Sequence, residues 1–378
     1  KIQMKTVQLI SQKQFSETMQ AAISQNIITE AEMNSLPPQL PQMNRTYQIE
    51  NAGKIEALIA FCPNYLLNAP FKYQNHRNCL QLYISRGPTT ILRPVLAQAS
   101  YKNLPILLLD SNSNIDAKFI TVHDNMQLIL QEDIQKMMQL VPPQLKDKNQ
   151  NNLDIIQIDT RQEMLKAAQL LADVFQHDPV THNLAPLVHR RWEFLFDLCH
   201  FIAQQTSHHG MNWIVIDSNN QNLSQCPLVG ALLASPAGIT ENHWGDPSQL
   251  TEVMKNYFHE QDFSYFEKID QLHHDFCGAP ANHLYISFVA SLGKSGIGGT
   301  LLRQLAEIAA RGKGNVYLEN SKTENVKFYE KMGLKVRGRI LVRNQAAGSQ
   351  AYMYAMNNCE GGGEFVELED AVLQNVME

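Results

Sequence analysis

A strand that runs straight into a glycine-rich loop and then a helix, residues 284–311, constrains this 378-residue chain more than any other feature. Leu284, Ile286 and Phe288 alternate with Tyr285, Ser287 and Val289, the period of a β-strand. Both sets are largely apolar, which predicts a central strand covered on both faces. Gly293-Lys294-Ser295-Gly296-Ile297-Gly298-Gly299-Thr300 follows. Beyond it Leu301, Leu305 and Ile308 share one helical face, with Leu302 and Ala309 beside it. Glycines let the backbone approach a ligand closely and adopt φ > 0. A helix N-terminus offers free N–H groups and partial positive charge, and Lys294 adds a full charge, so the unit suits an anionic phosphate.

Two common phosphate motifs fail here. A P-loop built on Gly293-Lys294-Ser295 needs its first glycine at position 288, which is Phe288. A dinucleotide fingerprint starting from Gly296 and Gly298 needs Gly or Ala where Leu301 stands. What fits is Gly296-Ile297-Gly298 followed by Thr300-Leu301-Leu302. Downstream come the strand Val316-Tyr317-Leu318-Glu319-Asn320 and the run Asn325-Val326-Lys327-Phe328-Tyr329-Glu330-Lys331-Met332-Gly333-Leu334.

Loop, helix, strand and second signature, in this order, resemble the GNAT N-acetyltransferases. Those carry (Gln/Arg)-x-x-Gly-x-(Gly/Ala) and later N-x-x-F-Y-x-x-x-G-F/L. One position departs: the leading Gln/Arg aligns with Gly293. The resemblance implies a GNAT-type mixed α/β sheet flanked by helices, with acetyl-CoA as co-substrate in the V between strands 284–289 and 315–319. It implies main-chain hydrogen bonds from the pantetheine near Phe288 and Val289, one N–H there polarising the thioester carbonyl. The pyrophosphate would lie on Lys294, Ser295, Gly296, Ile297, Gly298, Gly299 and Thr300. Asn325 would reach the pantetheine arm, with Phe328 in the same signature. Tyr329 would protonate the leaving thiolate, a phenol near pKa ~10 being protonated at neutral pH.

The acceptor amine must lose a proton before attack. For a lysine side chain at pH 7 that costs roughly 4–5 kcal/mol, for an α-amine about 1 kcal/mol. Glu319, ending the second splayed strand, is the first candidate base; a structural carboxylate is the alternative. His283 and Tyr285 are weaker candidates. Asp262, Glu267 and the pair His273-His274 are expected on a solvated helix face, and His208-His209 in a loop. No set of His, Cys and Asp has metal-ligand spacing, so no metal is expected.

The rest of the chain bounds the function. A net charge of −6 argues against a nucleic-acid binder. No apolar run reaches the ~18 residues of a membrane span, and residues 1–5 lack a signal peptide's apolar core. Six scattered cysteines without C-x-x-C fit reduced thiols, so a cytoplasmic enzyme is expected. Residues 1–45 read as a helical segment, with Thr29 and Glu32 spaced as a capping box. Residues 46–141 read as a second α/β domain, with a helix over 124–140. It is either a degenerate copy of the same fold or an unrelated module. A polar linker with two prolines spans 142–152, the acetyltransferase domain 153–357, and a flexible acidic tail 358–378, whose Phe365, Leu368, Val372, Leu373 and Val376 fall at helical spacing for docking on its own body or on a partner. The acceptor is left open between a protein amine and a small molecule. A non-catalytic acyl-CoA-binding or interaction module, its loop decayed at Gly293, is the competing class.

Overall fold

The computed structural model describes residues 8–10, 12–34, 36, 45–52, 54–63, 79–109, 115–123, 126–146, 149, 151–207, 211–219, 223–237, 244–259, 263–277, 283–293, 296–312, 314–359 and 365–373. Contacts group the chain into two units, residues 1–157 with 215–229, and 158–214 with 230–378.

The first unit contains β1 (Gln8–Leu9), α1 (Gln12–Ser24), α2 (Glu30–Asn34), β2 (Thr46–Asn51), β3 (Lys54–Pro63), β4 (Leu80–Arg86), α3 (Arg93–Lys102), β5 (Ile106–Leu108), β6 (Thr121–His123), β7 (Met126–Ile129), α4 (Gln131–Leu140), β8 (Leu145–Lys146) and β9 (Asn152–Gln157). The expected capping box is present. Thr29 N–H donates to Glu32 Oε2 at 2.7 Å and Glu32 N–H to Thr29 Oγ1 at 3.2 Å. A helix over 124–140 is not what forms. Leu128 and Ile129 pair with Leu107 and Ile106, so strand pairing overrides the apolar pattern and the helix starts only at Gln131. Seven strands lie in the order β1-β2-β3-β4-β5-β7-β6. β4 and β5 run parallel and the other neighbours antiparallel.

The chain continues through α5 (Arg161–Phe175), α6 (Pro179–Leu184), α7 (Val188–Thr206), β10 (Trp213–Asp217), β11 (Leu228–Ser235), α8 (Pro247–Lys255), α9 (Ser264–Cys277), β12 (His283–Ser291), α10 (Ile297–Arg311), β13 (Asn315–Asn320), α11 (Thr323–Glu330), β14 (Lys335–Asn344), β15 (Ser349–Asn357), β16 (Val366–Glu367) and β17 (Ala371–Leu373). Thr160 and Glu163 form a capping box that starts α5. His177-Asp178-Pro179 ends that helix and also starts the next. Asp178 Oδ1 accepts the N–H groups of Val180 and Thr181 at 3.0 and 3.3 Å, and Pro179 takes the first turn, where no N–H is needed.

In the second unit β11, β12, β13, β15 and β14 are successive neighbours, with β12 and β13 parallel and the rest antiparallel. That is the order and direction of β3, β4, β5, β7 and β6. The two units share an irregularity as well. Parallel pairing stops at Ile286–Leu318 in one and at Leu82–Leu108 in the other. The next residue, Ser287 or Tyr83, is an extra one, because Leu233 and Ala234 face Phe288 and Ile286 while Phe61 and Ala60 face Leu82 and Ile84. The following helix starts ten positions later in both, at 297 after 287 and at 93 after 83.

The tail corrects a second expectation. Its described residues are short strands parallel to β14, not a helix. Ala371 and Leu373 alternate inward and are buried, and the tail satisfies main-chain groups that β14 would otherwise leave open. Close approach depends on Gly338. A Cβ there would lie 2.5 Å from the Phe276 ring and 2.8 Å from the Val366 carbonyl oxygen.

Candidate active site

The site begins where β12 leaves β13. Beyond Ile286 the first of these strands has no partner on its β13 side, and the bulge turns Ser287 and Phe288 toward one cavity. The Ser287 hydroxyl is shielded from solvent and has no hydrogen-bond partner among the described residues. Past the strand, Gly293 and Gly296 take φ of +73° and +78°, a region that disfavours any other residue. Gly296 caps α10, whose first turn closes with Thr300 N–H on Gly296 O at 3.1 Å. The N–H groups of Ile297, Gly298 and Gly299 therefore point out of the helix end. Buried Ile297, Leu301, Leu302, Leu305 and Ile308 anchor the helix, at about 1.5–3 kcal/mol each. Lys294 and Ser295 lie outside the described residues.

A Cβ on Gly299 would meet the Phe328 ring at 3.4 Å, so α11 leans its aromatic edge on the first turn of α10. Phe328 is 36 % exposed, Asn325 is half-buried, and Tyr329 behind them is buried. Burial pushes the Tyr329 phenol up to about 12, and the nearby Asp178 carboxylate adds to the shift. Asp178 also accepts a hydrogen bond from Ser321 Oγ on its other oxygen. Burial raises its own pKa, against those hydrogen bonds and Lys322.

Glu319 faces the same cavity as Phe288. Its neighbours follow from register: Tyr285 sits opposite Tyr317 across the parallel pair, and Glu319 is two residues on, hence on the same face. The Tyr285 hydroxyl donates to Glu319 Oε2 at 2.7 Å. Burial pushes the Glu319 carboxyl up to about 7, while the Tyr285 and Tyr317 hydroxyls pull the other way. Burial and the Glu319 charge hold the Tyr285 phenol well above its ordinary value.

His273 is not on a solvated face as expected. Its ring stacks on Tyr285 and on Tyr317, both centroids at 4.6 Å, and its Nε2 lies 2.6 Å from His283 Nε2. Burial first, then His283 and His274, push its pKa down to about 3, so it is neutral at physiological pH. Glu267 and His274 are exposed, as expected. Asp262, His208 and His209 lie outside the described residues.

The cavity, open to solvent on one side, spans about 650 Å³ including its open mouth, all of it within the second unit. Its walls add residues that the sequence reading did not single out as functional: Asp178, Ser287, Ser321 and Trp244. Asp178 carried a readable signal, an Asp-Pro at a helix start. Ser287 and Ser321 reach the site through the sheet order and the bulge, and Trp244 from the segment before α8, none of which leaves a local pattern. Among the described residues no three His, Cys, Asp or Glu side chains are grouped to hold a metal ion. No helix among them is long and apolar enough to cross a membrane.

In fold, the C-terminal half is GNAT-like: a mixed sheet, a splayed parallel pair with a bulge, and a glycine loop opening the next helix. No family model matches the chain, and neither does any curated protein. Solved structures similar to it include the C-terminal condensation domain of Ebony in complex with beta-alanyl-dopamine (11 % identity, 55 % of this chain and 98 % of that one, TM-score 0.38). Histone acetyltransferase HPA2 and related acetyltransferase from Corynebacterium glutamicum is similar at 18 % identity, over 55 % of this chain and 97 % of that one, TM-score 0.36. A polyamine N-acetyltransferase from Drosophila melanogaster is similar at 13 % identity, over 55 % of this chain and 99 % of that one, TM-score 0.36.

Proposed function

We propose that the C-terminal unit is an acetyl-CoA-dependent N-acetyltransferase that acts by direct attack of a primary amine. The observation that carries this reading is the bulged, splayed end of β12, which leads into an open helix N-terminus and is flanked by a protonated phenol and a carboxylate near neutrality. The residues present fit the cofactor. Main chain of Phe288 and Val289 on the side away from β11, beyond the end of pairing with β13, matches the pantetheine amides, and the free N–H groups of residues 297–299 match a pyrophosphate. Lys294, Ser295 and Thr300 complete that loop in sequence, and Asn325 lies on the helix that flanks it.

When bound, acetyl-CoA supplies the activated acyl thioester. The N–H groups near Phe288 hold its carbonyl oxygen and favour negative charge there. Glu319, close to half ionised at pH 7, takes the proton from the attacking nitrogen. Tyr329 returns a proton to the departing sulfur. The Asp178 carboxylate keeps the phenol protonated until it is needed, acting through Tyr329 as a positioning residue. Phe175, Phe288 and Phe194 line this cavity with apolar rings, which disfavour water as a competitor of the amine.

The competing reading is an acyl-CoA-binding module without turnover, favoured by glycine at position 293 where a Gln or Arg side chain is expected. Acetyl-CoA binding by calorimetry and transfer to an amine panel, on the same samples, separate the two. An enzyme binds and transfers, and Tyr329→Phe lowers kcat by about 10²–10⁴-fold with CoA affinity intact. Binding with no transfer to any amine overturns the enzyme reading.

A further inference from the structure

The cavity beside Glu319 has a composition that selects among amines. Its described lining contains no Lys, Arg or His, so nothing there would pair with a carboxylate or phosphate on an acceptor. It contains two carboxylates, Asp178 and Glu319. Asp178 is already committed, to two main-chain N–H groups on one oxygen and to Ser321 on the other. Glu319 is the carboxylate left to meet an ammonium group, and it stands next to the bulge where the acyl carbon would lie. The remaining surface is mostly hydrocarbon and ring, with the hydroxyls of Thr181, Ser287 and Ser321 and the Trp244 indole as its other polar groups. Phe175 meets Phe288 edge to face at 5.2 Å, Trp244 lies flat against Tyr285 at 6.4 Å, and Leu195, Leu198 and Met353 fill between.

A polypeptide presents an N–H and a C=O at every residue, and each one buried without a partner weakens binding. A polyamine presents further ammonium groups, which this wall does not pair and which resist dehydration. An amino acid presents a carboxylate with no cation to meet it. A ring on a short alkyl stem satisfies every surface: the amine at Glu319, the hydrocarbon against the leucines, the ring among the aromatic edges.

We propose, on the footing of the acetyltransferase reading above, that the acceptor is a small arylalkyl monoamine seated in this cavity with its nitrogen at Glu319. The Ser287 hydroxyl supplies the second polar contact to that nitrogen. Leu184 and Phe266, also in the lining, offer further apolar surface for the ring.

The test uses the full chain saturated with acetyl-CoA or CoA and four probes: 2-phenylethylamine, phenylalanine, spermidine and a lysine peptide with a blocked N-terminus. Transfer is followed by thiol release, and binding to the CoA-saturated chain by calorimetry. The expected kcat/KM for 2-phenylethylamine exceeds each of the others by at least about a hundredfold, since each of them brings an unpaired buried charge or peptide group worth several kcal/mol. Transfer that favours spermidine, phenylalanine or the peptide overturns the assignment. If no probe is acetylated, the catalytic reading fails, and binding alone decides this one. 2-Phenylethylamine bound while the other three are not upholds the cavity assignment, and no binding of 2-phenylethylamine overturns it. Met353→Glu supplies a second uncommitted carboxylate and is expected to narrow the gap between spermidine and 2-phenylethylamine at least tenfold. A folded Met353→Glu chain with an unchanged gap counts against the cavity as the acceptor site.

Discussion

Tyr285→Phe removes one oxygen and little volume, and its effect can be worked out in advance. The Tyr285 hydroxyl donates to Glu319 Oε2 at 2.7 Å, so it favours the ionised carboxylate. A hydrogen bond to a charged group is worth about 1.5–3 kcal/mol, and one pKa unit corresponds to 1.36 kcal/mol. Losing the donor therefore raises the Glu319 pKa, already at about 7 from burial, by roughly one to two units. If Glu319 acts as the base, activity requires its deprotonated form, so the acidic limb of kcat/KM moves upward by the same amount. At pH 7 the ionised fraction falls from about one half to between ~1 and ~10 %, a five- to fifty-fold loss, and the loss shrinks as pH rises past 9. The assay is the kcat/KM–pH profile of both proteins with one amine, because the amine's own titration then cancels in the ratio. An acidic limb that stays in place, or a loss equally large at every pH, refutes the role of Glu319 as base.

Glu319→Gln should raise stability at pH 8 and leave it nearly unchanged at pH 4.5, read as thermal midpoints. The folded pKa lies above the ordinary one, so the native state holds an extra proton between the two and stability falls as pH rises through about 7. Gly338→Ala should cost about 1–3 kcal/mol in denaturant titration, because the new Cβ meets the fixed Val366 carbonyl at 2.8 Å as well as the Phe276 ring. Arg93→Ala should cost about 3–5 kcal/mol by stranding buried Asp154, whereas Arg93→Met with Asp154→Leu should recover most of that loss.

Legibility followed the range of the interactions involved. The glycine loop, its strand and its helix were readable because Gly296, the apolar 301–305–308 face and the alternation at 284–289 are local requirements. Tyr329 and Glu319 were readable as candidates because each sits at a fixed offset in a short pattern. The pairing of Tyr285 with Glu319 was not, since 34 positions separate them and parallel register alone brings them together. His273 looked solvated because three of its helix neighbours are charged or polar. It is half-buried because two tyrosines from adjacent strands present flat rings to it. The tail misled in another way. Short apolar spacing fits a helix until an open strand edge competes for the same main chain.

The first unit shows what the shared strand pattern does not provide. It has the splayed parallel pair and the bulge, yet its strand-to-helix junction is filled from within. Gly87 at φ +100° packs against Ala57, and residues 89–92 form a 3₁₀ turn with Ile91 and Leu92 buried. Ile91 N–H is spent on Pro88 O, and Pro94 in the first turn of α3 has no N–H to offer. Arg93 starts that helix, but its guanidinium turns inward to Asp154 and to the carbonyls of Met138 and Val141 at 2.9 and 2.8 Å. In the second unit the corresponding residue is Ile297, preceded by Gly296 in the left-handed conformation at φ +78°. A phosphate site needs free N–H groups at the helix end and room in front of them. In the first unit those requirements are replaced, residue by residue, by internal bonds that hold the unit together. Acetyl-CoA titrated into the full chain should therefore saturate at one equivalent. Two equivalents of comparable affinity would show that the filled junction opens, and would overturn this account of the first unit.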